Sequence, residues 1–171
     1  MVDDLIYIVK LESETKQDFA SVDLNQMVEV TLKGLAHEVQ KKQLQLQLQL
    51  TPLLFIHGDS EKLTRAVYEI IENAIQYTPM NGKLSISLNG LANDAYLRVQ
   101  DTGIGIPDTE KGKIFDRLYR GDLARTKRGS GLGLSIAKLI VEAHHGTIRA
   151  ESEGEGKGST FIVEMEPFEK A

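Results

Sequence analysis

The sequence has no cysteine and no tryptophan, and only four prolines among its 171 residues. Without cysteine there can be no disulfide, no thiolate zinc site and no cysteine nucleophile. No apolar stretch approaches the roughly 20 residues that cross a bilayer, and the acidic start lacks the pattern of a signal peptide. Twenty basic and 25 acidic side chains give a net charge of −5, which offers no general electrostatic footprint for nucleic acid. The length and the apolar fraction of 41% suit one globular domain.

The apolar pattern predicts an α+β fold. Strict alternation in QLQLQLQL at 43–50 is typical of a strand with its leucines on one face. Apolar residues at helical spacing predict a helix that is capped at Asp59 or Ser60 and runs to about residue 77, and another over 132–145. Strands on both sides of these helices favour a two-layer α/β sandwich: one mixed, mostly antiparallel sheet with about three helices on one face.

Two loop regions carry local predictions. The dipeptide Asn81-Gly82 is typical of a hairpin turn. Residues 102–130 should be mostly irregular, with a short helix near 113–119. A loop of that length within a compact domain is usually functional, so the candidate site is sought there.

A carboxylate stands between a predicted strand and two glycines. Asp101 ends the strand, and Gly103 and Gly105 follow it. Such a carboxylate can accept a hydrogen bond from an exocyclic amine, and the glycines let a planar ring approach the backbone. A plain strand-ending turn uses the same residue types. The Asp-Thr-Gly triplet also occurs in aspartic proteases, but their chemistry needs two carboxylates and the chain has one copy.

A glycine cluster, Gly129-Ser130-Gly131-Leu132-Gly133, opens the last predicted helix. Glycines before a helix present backbone N–H groups to a phosphate, and the helix dipole adds to the attraction. The spacing fits neither the Walker P-loop nor the dinucleotide fingerprint. The cluster therefore indicates a phosphate site of another kind, or simply a flexible loop.

Polar residues share one face of the helix that ends near residue 77. Glu69, Asn73 and Gln76 stand at i, i+4 and i+7, beside the apolar stripe that should face the core. Oxygen ligands in this arrangement can hold a hard cation. A solvated helix face is the alternative.

The segment 111–128 carries seven basic and two acidic residues. Its basic residues are Lys111, Lys113, Arg117, Arg120, Arg125, Lys127 and Arg128. A cationic loop beside a phosphate-binding helix can act as an electrostatic lid. A solvated loop or a docking patch would have the same composition.

These motifs follow one another in a characteristic order. An asparagine-bearing helix precedes Asp-x-Gly-x-Gly, then IFDRLYR at 114–120, then Gly-x-Gly-Leu-Gly-Leu, and Gly158-Ser159-Thr160-Phe161 lies on the last strand. Over about 20–166 the chain resembles the ATP-binding catalytic domain of sensor histidine kinases, within the superfamily shared with gyrase, the large heat-shock chaperone and mismatch-repair ATPases. The resemblance implies the Bergerat-type ATP-binding fold, with ATP and Mg²⁺ as ligands.

The resemblance also implies a role for each matching residue. Asn73, together with Glu69, would hold Mg²⁺ at the phosphates, and Arg117 and Arg120 would reach the phosphates from the rim of the lid, in the box that also contains Phe115. Asp101 would accept the adenine amine. The nucleotide-binding set as a whole would be Asn73, Tyr77, Asp101, Gly103, Gly105, Tyr119, Gly129, Gly131, Leu132, Gly133 and Thr160.

The chain departs from the kinase pattern in three places. Glu69 stands where many histidine kinases have asparagine, and a glutamate there activates water in the hydrolysing members of the superfamily. Gln76 stands where lysine is common. The phosphoacceptor box is missing: His37-Glu38 is the sole pair of a histidine and an acid, and no proline follows it closely. We therefore expect no self-phosphorylation by this chain alone.

These expectations define a domain plan and a set of partners. Residues 1–18 would be the stub of a dimerisation helix with its linker, and 19–171 the catalytic domain. The domain would donate the γ-phosphate to a histidine on a dimerisation and phosphoacceptor domain, with a response regulator downstream, in the cytoplasm, without contacting nucleic acid or membrane. A stand-alone ATPase that uses Glu69 as base, or a non-catalytic nucleotide-binding module, are the alternatives.

Overall fold

A computed structural model of the chain describes residues 2–13, 19–91, 94–121 and 129–167. No helix within these ranges is long and apolar enough to cross a membrane. The helices and strands are α1 (Val2–Ser13), β1 (Ala20–Asp23), α2 (Leu24–Gly34), α3 (Ala36–Lys41), β2 (Gln45–Leu50), β3 (Phe55–Gly58), α4 (Ser60–Tyr77), β4 (Lys83–Leu91), β5 (Asp94–Asp101), α5 (Gly133–Ala143), β6 (Thr147–Glu151) and β7 (Ser159–Met165).

Five strands form the main sheet, in the order β2-β4-β5-β7-β6. β2 runs parallel to β4, and every other neighbouring pair is antiparallel. β1 and β3 form a separate two-stranded sheet. The predicted α+β fold with a mixed, mostly antiparallel sheet is confirmed.

The sheet has one buried and one open face. The register aligns Ile86, Val99 and Phe161 in one row, and all three are buried. α4 contacts α2, α5 and β5, so these helices form the layer that covers the row. The neighbouring positions Ser85 and Gln100 point to the opposite face, as strand geometry requires.

The alternating strand 43–50 has its leucines on one face, as predicted, but that face is only partly covered. Leu46 and Leu48 are in register with the buried Leu84 and Ile86, so the leucines do share the helix-covered side. They are nevertheless 38% and 46% exposed. β2 is the edge strand of the sheet, where the helical layer no longer covers it.

Two loop predictions are wrong. Asn81-Gly82 joins α4 to β4 and closes no hairpin, since β4 pairs with β2 and β5. The segment near 113–119 forms successive turns rather than an α-helix, with Asp116 N–H donating to Lys113 O at 2.8 Å. Leu118 there has a positive φ of 61°, which a right-handed helix cannot accommodate.

Both ends of α4 are fixed by specific hydrogen bonds. At the start, Asp59 is the N-cap and accepts from the N–H groups of Glu61 and Lys62 at 3.0 and 3.1 Å, as predicted. At the other end, the ammonium group of Lys42 donates to backbone carbonyls of the last turn. The helix that bears the polar stripe is therefore held at both ends.

His144, at the end of α5, also holds the start of α4. Its Nε2 accepts from the Asp59 N–H at 3.0 Å, and its Nδ1 donates to Ile140 O at 2.7 Å. The ring stacks on Phe19 with the centroids 4.6 Å apart. Burial lowers the pKa of His144, so the ring is neutral in the fold.

The neutral state of His144 should make stability depend on pH. Because the folded pKa lies below the unfolded one, stability is full above about pH 6.5 and falls as the unfolded chain takes up a proton below it. We expect the melting temperature to fall more steeply between about pH 7.5 and 5.5 in the wild type than in His144→Gln. The exposed His37→Gln is the control and should keep the wild-type slope. Equal slopes in wild type and His144→Gln would contradict this account.

Candidate nucleotide-binding site

A cleft between α4, α5 and the segment 102–121 has two adjoining compartments. Six residues line both of them: Asn73, Tyr77, Ile114, Tyr119, Arg120 and Leu134. The first, the apolar compartment, encloses about 600 Å³ of space open to solvent and is further lined by Ile104, Gly105, Ile106, Glu110, Gly121, Ser159 and Phe161. The second, the polar compartment, is further lined by Glu69, Glu72, Gln76, Gly129, Ser130, Gly131 and Gly133. An apolar chamber beside a polar one suits a ligand with a flat ring at one end and charge at the other.

Asp101 lines neither compartment itself, but it is hydrogen-bonded to Ser159, which lines the apolar one. Its Oδ1 accepts from the Gly103 N–H at 2.7 Å, and its Oδ2 accepts from the Ser159 hydroxyl at 2.5 Å. The residue is 4% exposed, and burial raises the pKa of its carboxyl while these hydrogen bonds oppose the rise. Oδ2 retains a further acceptor position, so the carboxylate can receive one more donor from the compartment.

The glycines after Asp101 allow the backbone to pack closely there. A Cβ on Gly103 would lie 2.6 Å from both Asp101 Oδ1 and Tyr77 O. Gly105 has a φ of 71°, in the left-handed region, and a side chain on it would collide with the backbone of Gly154. Larger residues at either position would displace the wall of the apolar compartment.

The glycine cluster opens α5 onto the polar compartment. Gly131 has a φ of 73°, and its carbonyl accepts from the Leu118 N–H at 2.9 Å. The N-cap residue of α5, Leu132, makes no capping hydrogen bond with its side chain. Its leading N–H groups therefore face the compartment without an intrahelical partner, an arrangement that favours an anion.

Glu69 brings a nearly buried carboxylate to the polar compartment. It is 6% exposed, and its Oε1 lies 2.5 Å from Arg65 Nη2, one helical turn earlier. A Cβ on Gly133 would collide with its Oε2, so the carboxylate lies against the first residue of α5. Burial raises the pKa of Glu69, and the Arg65 guanidinium opposes that rise.

The donor set of the polar compartment fits a hard cation. Glu69, Glu72, Asn73 and Gln76 all carry side-chain oxygens there, which are the ligands that Mg²⁺ prefers. Within the described ranges, no group of three or more histidines or carboxylates converges on one point. A metal here would therefore take most of its ligands from phosphate and water, as Mg²⁺ at nucleotides usually does.

The two candidate arginines occupy different places. Arg120 lines both compartments. Arg117 forms an ion pair with Glu12 of α1 and lines neither compartment, so the structure does not bring it to the site as predicted. The later part of the predicted lid lies outside the described residues, and with it three of its basic residues, Arg125, Lys127 and Arg128.

Two more predicted ligand residues lie elsewhere. Thr160 pairs with Gln100 in the register, so its side chain points to the open face of the sheet. Asp101 points to the other face, which the helices cover. Its neighbour Ser159 lines the apolar compartment instead. The Leu132 side chain is fully buried in the core beneath α5 and does not line the cleft.

Several residues of the cleft are not among those predicted from the sequence. The apolar wall includes Ile104, Ile106 and Leu134, each adjacent to a glycine that was singled out. Their position in the sequence beside those glycines could have indicated that they line the cleft. Ser159 could be found only from the pairing of β5 with β7, which aligns it with Asp101.

Comparisons with known proteins match most of this chain. The sequence model of histidine kinase-, DNA gyrase B- and HSP90-like ATPases matches residues 58–168. The sensor protein kinase WalK of Staphylococcus saprophyticus is 36% identical over 171 residues, which cover 96% of this chain and 28% of that protein. The chain thus spans little more than a quarter of the length of this relative.

Two solved structures share the fold. A mycobacterial sensor histidine kinase, MprB, superposes with a TM-score of 0.77 at 26% identity, over 88% of this chain and 99% of that one. The histidine kinase ThkA in complex with the response regulator TrrA gives a TM-score of 0.79 at 24% identity, over 97% of this chain and 46% of that one.

The different surroundings of the two arginines lead to a test. We expect Arg120→Gln to weaken ATP binding about tenfold, because a charge-assisted hydrogen bond to phosphate is lost. Arg117→Gln, the matched control, should change ATP affinity by less than about twofold, since its partner is Glu12. Titration calorimetry measures both. A larger effect for Arg117→Gln than for Arg120→Gln would contradict the arrangement described.

Proposed function

The chain belongs to the histidine kinase-, DNA gyrase B- and HSP90-like ATPase family, as a catalytic ATP-binding domain of the sensor histidine kinase type, and we propose the part that it plays in a longer kinase. It binds ATP with Mg²⁺ and presents the γ-phosphate to a histidine on a separate dimerisation and phosphoacceptor domain. The observation that carries this proposal is the two-compartment cleft, with a buried carboxylate behind its apolar end and a helix N-terminus at its polar end.

The apolar compartment would take the adenine ring. Ile104, Ile106 and Phe161 offer apolar contacts to its faces and edges. Asp101 would accept a hydrogen bond from the exocyclic amine, with the hydroxyl of Ser159 holding the carboxylate in place. A guanine ring presents a carbonyl at that position, so the carboxylate should favour adenine.

The polar compartment would take the phosphates. The N–H groups around Gly131 and Gly133 face it, and Arg120 adds a cation. Asn73 and Glu69 are the residues that would hold Mg²⁺, which on binding would neutralise the phosphate charge that develops as the bond to the γ-phosphorus breaks. Catalysis by this chain would be mostly positioning and charge stabilisation.

The chemical step needs groups from outside this chain. A histidine nitrogen of the partner domain would attack the γ-phosphorus while ADP leaves, and an acid beside that histidine would take its proton. The sequence has no such acceptor box, so the isolated chain should bind ATP without phosphorylating itself. A response regulator would then receive the phosphoryl group, and the ThkA–TrrA complex shows a regulator bound to a protein of this fold. We place this chemistry in the cytoplasm.

The domain plan also remains a proposal. The boundary between 18 and 19 separates α1 from the ATPase domain, and residues 14–18 lie outside the described ranges. α1 nevertheless packs against the domain, with Ile8 2% exposed and Glu12 paired with Arg117. Its residues would be the end of the dimerisation helix.

The alternative of a stand-alone ATPase is less well supported by the geometry. A base that activates water must take up a proton, and the Arg65 guanidinium, 2.5 Å from Glu69 Oε1, stabilises the charged form of that carboxylate. A vestigial pocket is also disfavoured, because Asn73 and the glycine cluster are present and line the cleft.

Nucleotide selectivity tests the proposed function directly. We expect Asp101→Asn to weaken ATP binding about tenfold and to reduce the preference for ATP over GTP, because the amide can donate to the guanine carbonyl. Titration calorimetry with ATP and GTP, with and without Mg²⁺, gives the ATP affinity and the ratio of the two affinities. Asp108→Asn, an exposed carboxylate paired with Lys111, is the control. An unchanged ATP affinity in Asp101→Asn would contradict the assigned role.

A further inference from the structure

Arg65 lies between two carboxylates at the edge of the polar compartment. Its Nη2 is 2.5 Å from Glu69 Oε1 and 3.1 Å from Asp4 Oδ1 of α1. Arg65 itself lines neither compartment. One guanidinium thus links α1 to a carboxylate that faces the cleft.

The surroundings hold this guanidinium in place. Its central carbon lies 5.9 Å from the ring centroids of both Tyr7 and Tyr68, within the range of cation–π attraction. Tyr7 belongs to α1, which is seated by the buried Ile8. The Arg65 side chain is therefore positioned from two helices at once.

Glu69 places a negative charge where the phosphates would lie. Its carboxylate lies against Gly133 at the N-terminus of α5, the end that should attract phosphate. Glu72 of the same helix lines the compartment as well, and Asp4 contributes a third negative charge nearby. From the segment 102–121, Arg120 faces the same space. Without compensation, the carboxylate of Glu69 would repel each phosphate group that enters.

We propose that Arg65 is a positioning residue of the nucleotide site: it compensates the charge of Glu69, holds Oε1 back from the phosphates, and shares its own charge with Asp4 of α1. The inference rests on the proposed function, since it concerns how that site accepts a polyanion. It makes the affinity for phosphate depend on a residue outside the cleft. It also lets the packing of α1 influence the charge that an incoming nucleotide meets.

The decisive experiment compares ligands that differ only in phosphate number. ATP, ADP and AMP are titrated into wild type and Arg65→Gln at one low salt concentration, in Mg²⁺ and in EDTA. We expect Arg65→Gln to weaken ATP about tenfold, ADP less and AMP least, because each phosphate adds a repulsion. The EDTA series is the test, because free AMP, ADP and ATP carry increasing negative charge, whereas Mg²⁺ partly neutralises ATP and ADP but binds AMP only weakly. A loss of packing alone would weaken all three ligands by the same factor.

Matched variants separate charge from structure. Lys62→Gln removes a cation from the same helix, one turn earlier, where it pairs with Asp59, and should leave the ATP-to-AMP affinity ratio unchanged. Arg65→Lys keeps the charge and should restore most of that ratio. In a Glu69→Gln background, Arg65→Gln should change the ratio much less, because the main charge that it compensates is gone. Asp4→Asn should tighten ATP binding by about twofold, since it frees the guanidinium for Glu69.

The outcomes distinguish this inference from the proposed function. A wild type that binds none of the three nucleotides in either buffer overturns the proposed function. A wild type that binds ATP normally, with equal losses for ATP, ADP and AMP in Arg65→Gln, overturns the inference and leaves the proposed function standing. An effect of Arg65→Gln that persists undiminished in the Glu69→Gln background overturns it as well. Unchanged ATP affinity in Asp4→Asn overturns the contribution assigned to α1.

Discussion

The end of α4 is held by one ammonium group, and the cleft depends on where that end lies. Lys42 Nζ donates to the backbone carbonyls of Ile75, Gln76 and Thr78, each at 2.7 Å. The first two are carbonyls of the last turn, which have no partner within the helix, and Thr78 is the residue that follows it. The positive charge also offsets the negative end of the helix dipole. The remaining carbonyl, of Tyr77, accepts from the Ile104 N–H at 3.3 Å. The same turn that Lys42 fixes thereby positions a wall of the apolar compartment.

One face of α4 packs in the core, and another face lines the cleft. Its buried apolar stripe, which includes Ile70 and Ile71, packs under the sheet, while Glu69, Asn73 and Tyr77 face the cleft. Movement of the helix would therefore disturb stability and ligand binding together. The close approach of α5 depends on the absence of a side chain at Gly133, against which the Glu69 carboxylate lies. Packing between these two helices thus sets where the Glu69 charge lies in the polar compartment.

The fold and most of the cleft could be predicted from the sequence, because local patterns determine them. The helical stripe of α4, its cap at Asp59 and the glycines of the α5 loop each act over a few residues. The errors arise where partners distant in sequence decide. Thr160 was assigned to the site, but the pairing of β5 with β7 turns it away and brings Ser159 to Asp101.

Charge pairs between residues far apart in the sequence explain the remaining differences between the predicted and the observed site. The IFDRLYR motif indicates two phosphate-binding arginines, yet Arg117 pairs with Glu12 of α1, and no local pattern connects positions 105 residues apart. Arg65 is similar: its spacing from Glu69 is an ordinary helical pair, and only the docking of α1 adds Asp4 as a second partner. These contacts come from the tertiary structure, so reading the sequence alone could not find them.

The central claim is that this chain binds ATP in the cleft between α4 and α5. Amide hydrogen exchange with and without saturating ATP·Mg²⁺ tests it most directly, because it reports the place of binding as well as its strength. If ATP binds there, exchange should slow at 101–106, behind the adenine, and at 129–134, where the phosphates would meet α5. Unchanged exchange in both segments, or protection confined to a distant element such as β2, would contradict it.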